Sequence, residues 1–277
     1  MGALDDFEEL KVRRQSADHR TVVRCGDVEI KEGGFTVVAG PCAIESVDQA
    51  LAVARVAEEA GAKIFRASLF KPRTSPYSFQ GIGREGIPIL EAIRGETSLL
   101  LETEVLSLKH LELLQDHVDM LRIGTRCMRN YELLKEVGKT QKPLILKRGM
   151  SATLEEFLLA AEYVLVNGNE NVVLCERGIR TFETYTRNTL DILAVPALKE
   201  LTHLPVIVDP SHSAGRCSLV GPASKAALAV GADGILIEVH PDPAAALSDG
   251  AQSLDLPAFL ALMGELRNLA EPMGKVI

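Results

Sequence analysis

Eight short apolar runs recur along the chain at even spacing, and a side chain capable of chemistry follows each one. The runs are Thr36–Ala39, Lys63–Phe65, Ser98–Leu101, Met120–Ile123, Pro143–Leu146, Asn171–Leu174, Pro205–Val208 and Gly234–Ile237. Just past them stand Cys42, Arg66, Glu104, Arg126, Lys147, Arg177, His212 and Glu238, in that order. Segments of helical spacing separate the runs, so the chain reads strand, loop, helix eight times over. That repeat predicts an α/β fold, a (β/α)8 barrel, with its functional groups gathered at the C-terminal ends of the strands.

At 277 residues the chain exceeds one average domain, but barrels of this kind routinely form a single unit of that size. With 47% hydrophobic and 25% charged residues it has the composition of a globular protein with a sizeable core. A formal net charge of −8 argues against nucleic acid or an anionic membrane as partner. No run approaches the ~18 apolar residues of a membrane span. Met1–Leu10 has neither the basic start nor the apolar stretch of a signal peptide. The five cysteines, 25, 42, 127, 175 and 217, are odd in number and scattered, which is no disulfide framework. The expectation is a cytoplasmic protein.

Residues 1–34 form a short N-terminal extension, and residues 35–277 the barrel domain. Within the extension, Thr21–Arg24 and Val28–Ile30 flank Cys25-Gly26-Asp27 and read as a β-hairpin covering the barrel's N-terminal face. After the first run, Ser46-Val-Asp-Gln49 is a capping-box pattern, and Gly61 closes the helix it opens. Thr153-Leu-Glu-Glu156 caps a helix ending at Asn167-Gly168, and Tyr131–Val137 is a helix stopped at Gly138. Helices over Pro196–Leu201, Pro222–Val230 and Pro257–Leu269 follow, two of them opening with proline near the first helical position.

Taken singly, the polar residues have ordinary explanations. Cys42 is most simply a packed thiol, His212 a loop histidine, and Asp249 in Leu247-Ser-Asp-Gly250 a turn cap. Glu238 stands apart, because an unpaired carboxylate at the end of a buried strand is costly. The barrel changes the odds, since its first, seventh and eighth strands are neighbours around the ring. Thiol, imidazole and two carboxylates then face one another, a set suited to Mn²⁺, Fe²⁺, Co²⁺ or Zn²⁺ rather than Mg²⁺ or Ca²⁺.

The basic set is complementary. Arg66, Arg126, Lys147 and Arg177 come from four different strands, and Lys71, Arg73, Thr74 and Ser75 from the loop after the second. So many cations in one barrel mouth repel each other unless an anion lies among them. Arginine suits phosphate and carboxylate through its planar fork, and lysine supplies a point charge. A lysine at a strand end also fits a Schiff-base aldolase, but its arginine neighbours favour a small, multiply anionic substrate.

Six strings, in order, resemble 3-deoxy-D-arabino-heptulosonate 7-phosphate (DAHP) synthase, in the compact microbial branch called type I beta. They are Gly40-Pro-Cys42, Lys71-Pro-Arg-Thr-Ser-Pro-Tyr77, Leu146-Lys-Arg-Gly-Met-Ser-Ala152, Cys175-Glu-Arg-Gly178, Asp209-Pro-Ser-His212 and Glu238-Val-His-Pro-Asp242. The resemblance implies a transferase that condenses phosphoenolpyruvate with erythrose 4-phosphate, the first step of the shikimate pathway. It implies a divalent metal on Cys42, His212, Glu238 and Asp249, and phosphoenolpyruvate on Arg66, Arg126, Lys147 and Arg177. Lys71 and Glu104 would stand at the reacting centre, with Arg73 and Thr74 on the sugar's phosphate. It also implies a homodimer or homotetramer.

Two departures stand out: Arg66-Ala-Ser-Leu69 replaces the family's Arg-Gly-Gly-Ala, and Gly124-Thr-Arg-Cys127 its Gly-Ala-Arg-Asn. These bulkier flanks bear on the fit of the aldehyde. Feedback-controlled relatives carry an added effector segment, so the expectation here is no regulatory domain and no inhibition by aromatic amino acids. Two rivals remain. One is the related synthase using arabinose 5-phosphate, whose loop reads Lys-Ala-Asn-Arg-Ser where this chain has Lys71-Pro-Arg-Thr-Ser75. The other is a non-catalytic phosphometabolite-binding barrel.

Overall fold

The computed structural model describes residues 9–277; the first eight residues of the expected extension lie outside the described residues. Eight strands form a closed, all-parallel barrel: β3 (Thr36–Gly40), β4 (Ile64–Arg66), β5 (Leu100–Glu104), β6 (Met120–Ile123), β7 (Leu144–Lys147), β8 (Val172–Glu176), β9 (Val206–Val208) and β10 (Gly234–Glu238). They neighbour one another in chain order, and β10 closes the ring against β3 from Gly234↔Thr36 to Glu238↔Gly40. Before them, β1 (Val23–Cys25) and β2 (Val28–Ile30) make an antiparallel hairpin. Among the described residues no helix is long and apolar enough to cross a membrane.

Alternation along each strand divides the core in two. Val37 and Ala39, or Leu144 and Leu146, point outward and pack against the helices. Val38, Ile64, Met120, Ile145, Val173, Ile207 and Leu236 point inward and form an apolar floor, joined by Val23, Cys25 and Ile30 of the hairpin. The hairpin thus closes the barrel from below. Both strand faces are covered, which is why the runs look uniformly apolar. Cys25 pairs with Val28, so the turn is the two residues Gly26-Asp27 and not the expected three.

The helices are α1 (Val47–Glu59), α2 (Ile87–Glu96), α3 (Leu108–Leu114), α4 (Tyr131–Lys139), α5 (Leu154–Val166), α6 (Ala194–Leu201), α7 (Pro210–Ala214), α8 (Cys217–Ala229) and α9 (Leu256–Ala270). Thr153 and Glu156 make the full capping box of α5. At α1 only half forms: Ser46 accepts from Gln49, whose side chain turns instead to the backbone N–H of Glu45. Gly138 does not stop α4 but lies inside it. A Cβ there would come 2.7 Å from Asn167 Cβ and 2.8 Å from the Val164 carbonyl, so its smallness lets α4 approach α5. Pro222 does not open α8, which starts five residues earlier at Cys217. A proline there removes the bond to Ser218's carbonyl, a local cost that the helix's packing absorbs.

Candidate active site

The strand ends converge on one cavity of about 270 Å³. Arg66, Glu104, Lys147 and Glu238 are the last residues of β4, β5, β7 and β10. Cys42 and Arg177 follow β3 and β8 closely. His212 lies in the short helix α7, capped by Asp209, whose Oδ1 accepts from the His212 backbone N–H at 2.8 Å. Asp249 heads the turn Gly250–Gln252 with φ +51, a left-handed conformation that Asp tolerates better than most residues. Its carboxylate makes no capping bond to that turn, so the turn-cap explanation fails.

Three of the four expected metal donors have atoms within 4.8 Å of one another: Cys42, Glu238 and Asp249. His212 lies beside this group, with Nε2 at 3.4 Å from Glu238 Oε1 and 3.7 Å from Asp249 Oδ2. Cys42 Sγ donates to Asp249 Oδ2 at 3.3 Å. Donors bound to one ion at ~2.0–2.3 Å lie about 3.3–3.8 Å apart in a tetrahedron, the range of the Cys42–Asp249, His212–Glu238 and His212–Asp249 spacings. Burial, helped by Glu238, pushes the Cys42 thiol up to about 12. A cation would supply the charge that its thiolate needs. Burial pulls His212 down to about 4 against the opposing pull of Asp209, leaving the imidazole neutral at pH 7. Its Nδ1 lies 2.7 Å from Asp209 Oδ2, so a proton there leaves the Nε2 lone pair directed at the carboxylates.

Above the apolar floor the inward positions form a buried ionic layer. Arg66 Nη2 donates to Glu238 Oε1 at 2.9 Å, and Lys147 Nζ pairs with Asp209. Arg122 of β6 lies 3.3 Å from both Glu102 Oε1 and Glu104 Oε2. Here Arg66, Lys71, Arg122, Lys147 and Arg177 face Glu102, Glu104, Asp209, Glu238 and Asp249, a near balance of charge. The surplus is at the mouth, where Arg73, Arg126 and Arg187 line the cavity. Unpaired donors are also in excess: Arg66 Nε and Nη1, Arg73 Nη1 and Arg177 Nε are buried with no acceptor. Anionic substrates would redress both imbalances.

The two lysines differ. Burial opposes the Lys71 ammonium, but Cys42, Glu238 and Glu104 outweigh it and raise its pKa. Lys71 Nζ lies 3.6 Å from Asp249 Oδ2, beside the metal donors. For Lys147 burial prevails over Asp209 and lowers the pKa. Burial raises and Arg122 then lowers the Glu104 pKa, with a net decrease.

Every expected substrate contact reaches the cavity wall, whereas Cys42 and Glu238 are buried without lining it. Arg126 sits outside β6, in the turn Thr125–Cys127, exposed and 3.5 Å from Thr74 Oγ1. The candidate metal donors and the cationic cluster therefore meet at the C-terminal end of the barrel. The sequence profile of the DAHP synthetase I family matches residues 13–271. The chain belongs to that family.

It is accordingly an enzyme, a transferase of the DAHP synthase kind. A phospho-2-dehydro-3-deoxyheptonate aldolase of Thermotoga maritima is 48% identical over 263 residues, 95% of this chain and 78% of the relative. A 2-dehydro-3-deoxyphosphooctonate aldolase of Syntrophotalea carbinolica is 34% identical over 248 residues, 83% of this chain and 88% of the relative. The crystal structure of DAHP synthase from Thermotoga maritima matches with a TM-score of 0.92 at 46% identity, covering 99% of this chain and 84% of that one. A truncated form of that synthase matches at 0.89 and 44%, covering 96% and 98%.

Among the departures from the family's strings, Thr125 lines the cavity. Ala67, Leu69 and Cys127 do not line it, and Ser68 turns its hydroxyl to Arg122 Nη2 at 2.6 Å. Four residues with a part in the site escape the sequence reading. Arg122 lies within an apolar run and Glu102 directly after one, where a charge at an inward strand position was the available signal. Asp209 joins Lys147 to His212. Arg187 reaches Asp249 Oδ1 at 3.2 Å from the loop after β8, and nothing in its spacing marks it.

Proposed function

We propose that the enzyme condenses phosphoenolpyruvate with erythrose 4-phosphate to give DAHP and phosphate, the first step of the shikimate pathway. The observation that carries this is the conjunction of the Cys42, Glu238 and Asp249 group, with His212 beside it, and a surplus of arginines around one cavity. Cys42, His212, Glu238 and Asp249 would hold the divalent metal, one of Mn²⁺, Fe²⁺, Co²⁺ or Zn²⁺. When bound, that ion supplies Lewis-acid polarisation of the aldehyde oxygen.

Arg66, Arg126, Lys147 and Arg177 bind phosphoenolpyruvate, stabilising its phosphate and carboxylate with fixed donors. Arg73 and Thr74 hold the phosphate of the sugar at the mouth. The C3 carbon of phosphoenolpyruvate then forms a bond to the aldehyde carbon, and Lys71 gives a proton to the resulting oxygen. Water adds at C2 and Glu104 takes its proton. The C2–O bond to phosphate breaks as the C2 hydroxyl passes its proton to the departing phosphate, leaving a ketone and inorganic phosphate.

Erythrose 4-phosphate is favoured over arabinose 5-phosphate by Lys71-Pro-Arg73-Thr74, and by the greater identity to the heptonate aldolase than to the octonate one. Initial rates of phosphate release with each aldose test this. Faster release with erythrose 4-phosphate supports the assignment, equal or faster release with arabinose 5-phosphate overturns it, and none with either points to the binding-only barrel.

We further infer a cytoplasmic homodimer or homotetramer built from the 35–277 barrel and its 1–34 extension. All five cysteines are free, which suits a reducing compartment. Phe182 (97% exposed), Leu193 and Tyr185 offer apolar surface for self-association. Sedimentation at assay concentration checks the assembly, and a monomer there refutes it.

A further inference from the structure

Arg122 has no part in the chemistry above, yet it is 1% exposed and lines the cavity. A guanidinium inside a barrel is costly unless it is well paired. Three groups hold this one. Nη2 donates to Ser68 Oγ at 2.6 Å and to Glu104 Oε2 at 3.3 Å, and Nε lies 3.3 Å from Glu102 Oε1. Its Nε and Nη1 are buried and make no hydrogen bond within the protein.

The other end of Glu104 is equally confined. A Cβ on Gly124 would fall 1.9 Å from Glu104 Oε1, so the carboxylate occupies the space a side chain would take. It is wedged between the guanidinium on one side and the Gly124 backbone on the other. We propose that Arg122 is a positioning residue for Glu104: with Ser68 and Glu102 fixing its own plane, it pins the Glu104 carboxylate at the cavity wall, ionised and aimed at the water that adds to C2.

This rests on the role given to Glu104 above. The groups facing Glu104 are Arg122 from β6, Lys71 from the loop after β4, Lys147 from β7 and His212 from α7, with Glu102 on its own strand and Cys127 across the turn. Burial works against the charge on Glu104, and Arg122 leads the groups that restore it, ahead of Lys71, Lys147 and His212.

The test is the pH dependence of kcat for metal-loaded wild type, Glu104→Gln, Arg122→Gln, Arg122→Lys and Ser68→Ala, with phosphoenolpyruvate and erythrose 4-phosphate. Glu104→Gln lowers kcat by about a hundredfold or more. Arg122→Gln moves the acid limb upward by about one to three pH units and leaves the KM for phosphoenolpyruvate within about threefold. Arg122→Lys restores part of the limb, and Ser68→Ala moves it less but in the same direction.

A folded Arg122→Gln with an unmoved limb overturns the proposal, as does a KM that rises as far as kcat falls, which marks direct substrate contact. If Arg122→Gln does not fold, an unmoved limb in Ser68→Ala overturns it instead. Full turnover in Glu104→Gln removes the role of Glu104 and the clamp together. Inactive Glu104→Gln with unmoved limbs elsewhere removes the clamp alone.

Discussion

Replacing Asp209 by asparagine probes the site's internal pairing with almost no change of shape. Asp209 is fully buried and serves three partners: Lys147 Nζ, His212 Nδ1 at 2.7 Å and the His212 backbone N–H at 2.8 Å. Burial disfavours its charge, but His212 and Lys147 outweigh that and hold the carboxyl well below the usual range. Breaking a buried pair by removing one partner costs about 3–5 kcal/mol. The asparagine oxygen keeps the bond from the His212 N–H, so the low end, about 3 kcal/mol, applies.

At roughly 2–4 °C per kcal/mol for a chain of this size, Tm falls by about 6–12 °C at pH 7. Calorimetry of wild type and Asp209→Asn over a pH series measures it. A depressed carboxyl stabilises the fold above its unfolded pKa of ~3.9 and loses that stabilisation as pH falls towards the folded value. The gap between the two proteins therefore stays constant from pH 7 to about pH 5 and narrows only below about pH 4. Lys147, already lowered by burial, loses its counter-charge, so the alkaline limb of kcat/KM moves to lower pH. The His212 ring loses its orienting carboxylate, and metal affinity drops by about 10- to 100-fold. A Tm within about 2 °C of wild type, with metal affinity unchanged, would refute the reasoning.

Chelation removes activity and a divalent transition metal restores it, with Cys42→Ser weakening soft ions most; full turnover in verified metal-free protein contradicts the metal's role. Arg73→Ala raises the KM for the sugar phosphate by roughly ten- to a hundredfold and leaves that for phosphoenolpyruvate nearly unchanged, and equal damage to both would show that Arg73 serves more than one substrate. Gly138→Ala destabilises by about 1–3 kcal/mol through overpacking against α5, and denaturant unfolding with an unshifted midpoint would show that α4 has room to give.

The barrel was legible because parallel strands covered on both faces leave long apolar runs, each broken where a polar residue reaches the mouth. Legibility failed where charge enters a strand. The third apolar run spans Ser98–Leu101, but β5 is Leu100–Glu104. Glu58 takes both the N–H and the hydroxyl of Ser98 at 2.6 Å, holding it outside the strand. Glu102 and Glu104 continue the strand because Arg122 pairs with them across the ladder. Such pairing depends on register, which apolar spacing does not reveal. For the same reason Asp209's support of Lys147 and His212 was not legible. Gly138 and Pro222 carry the usual signals for helix ends, but tertiary packing overrides them.

The measurement that bears most directly on the account is the mass and stoichiometry of the product formed by metal-loaded enzyme from phosphoenolpyruvate and erythrose 4-phosphate. The proposed condensation gives a seven-carbon keto-sugar phosphate, one molecule for each inorganic phosphate released. Phosphate release accompanied by pyruvate, with no new carbon–carbon bond, would contradict it.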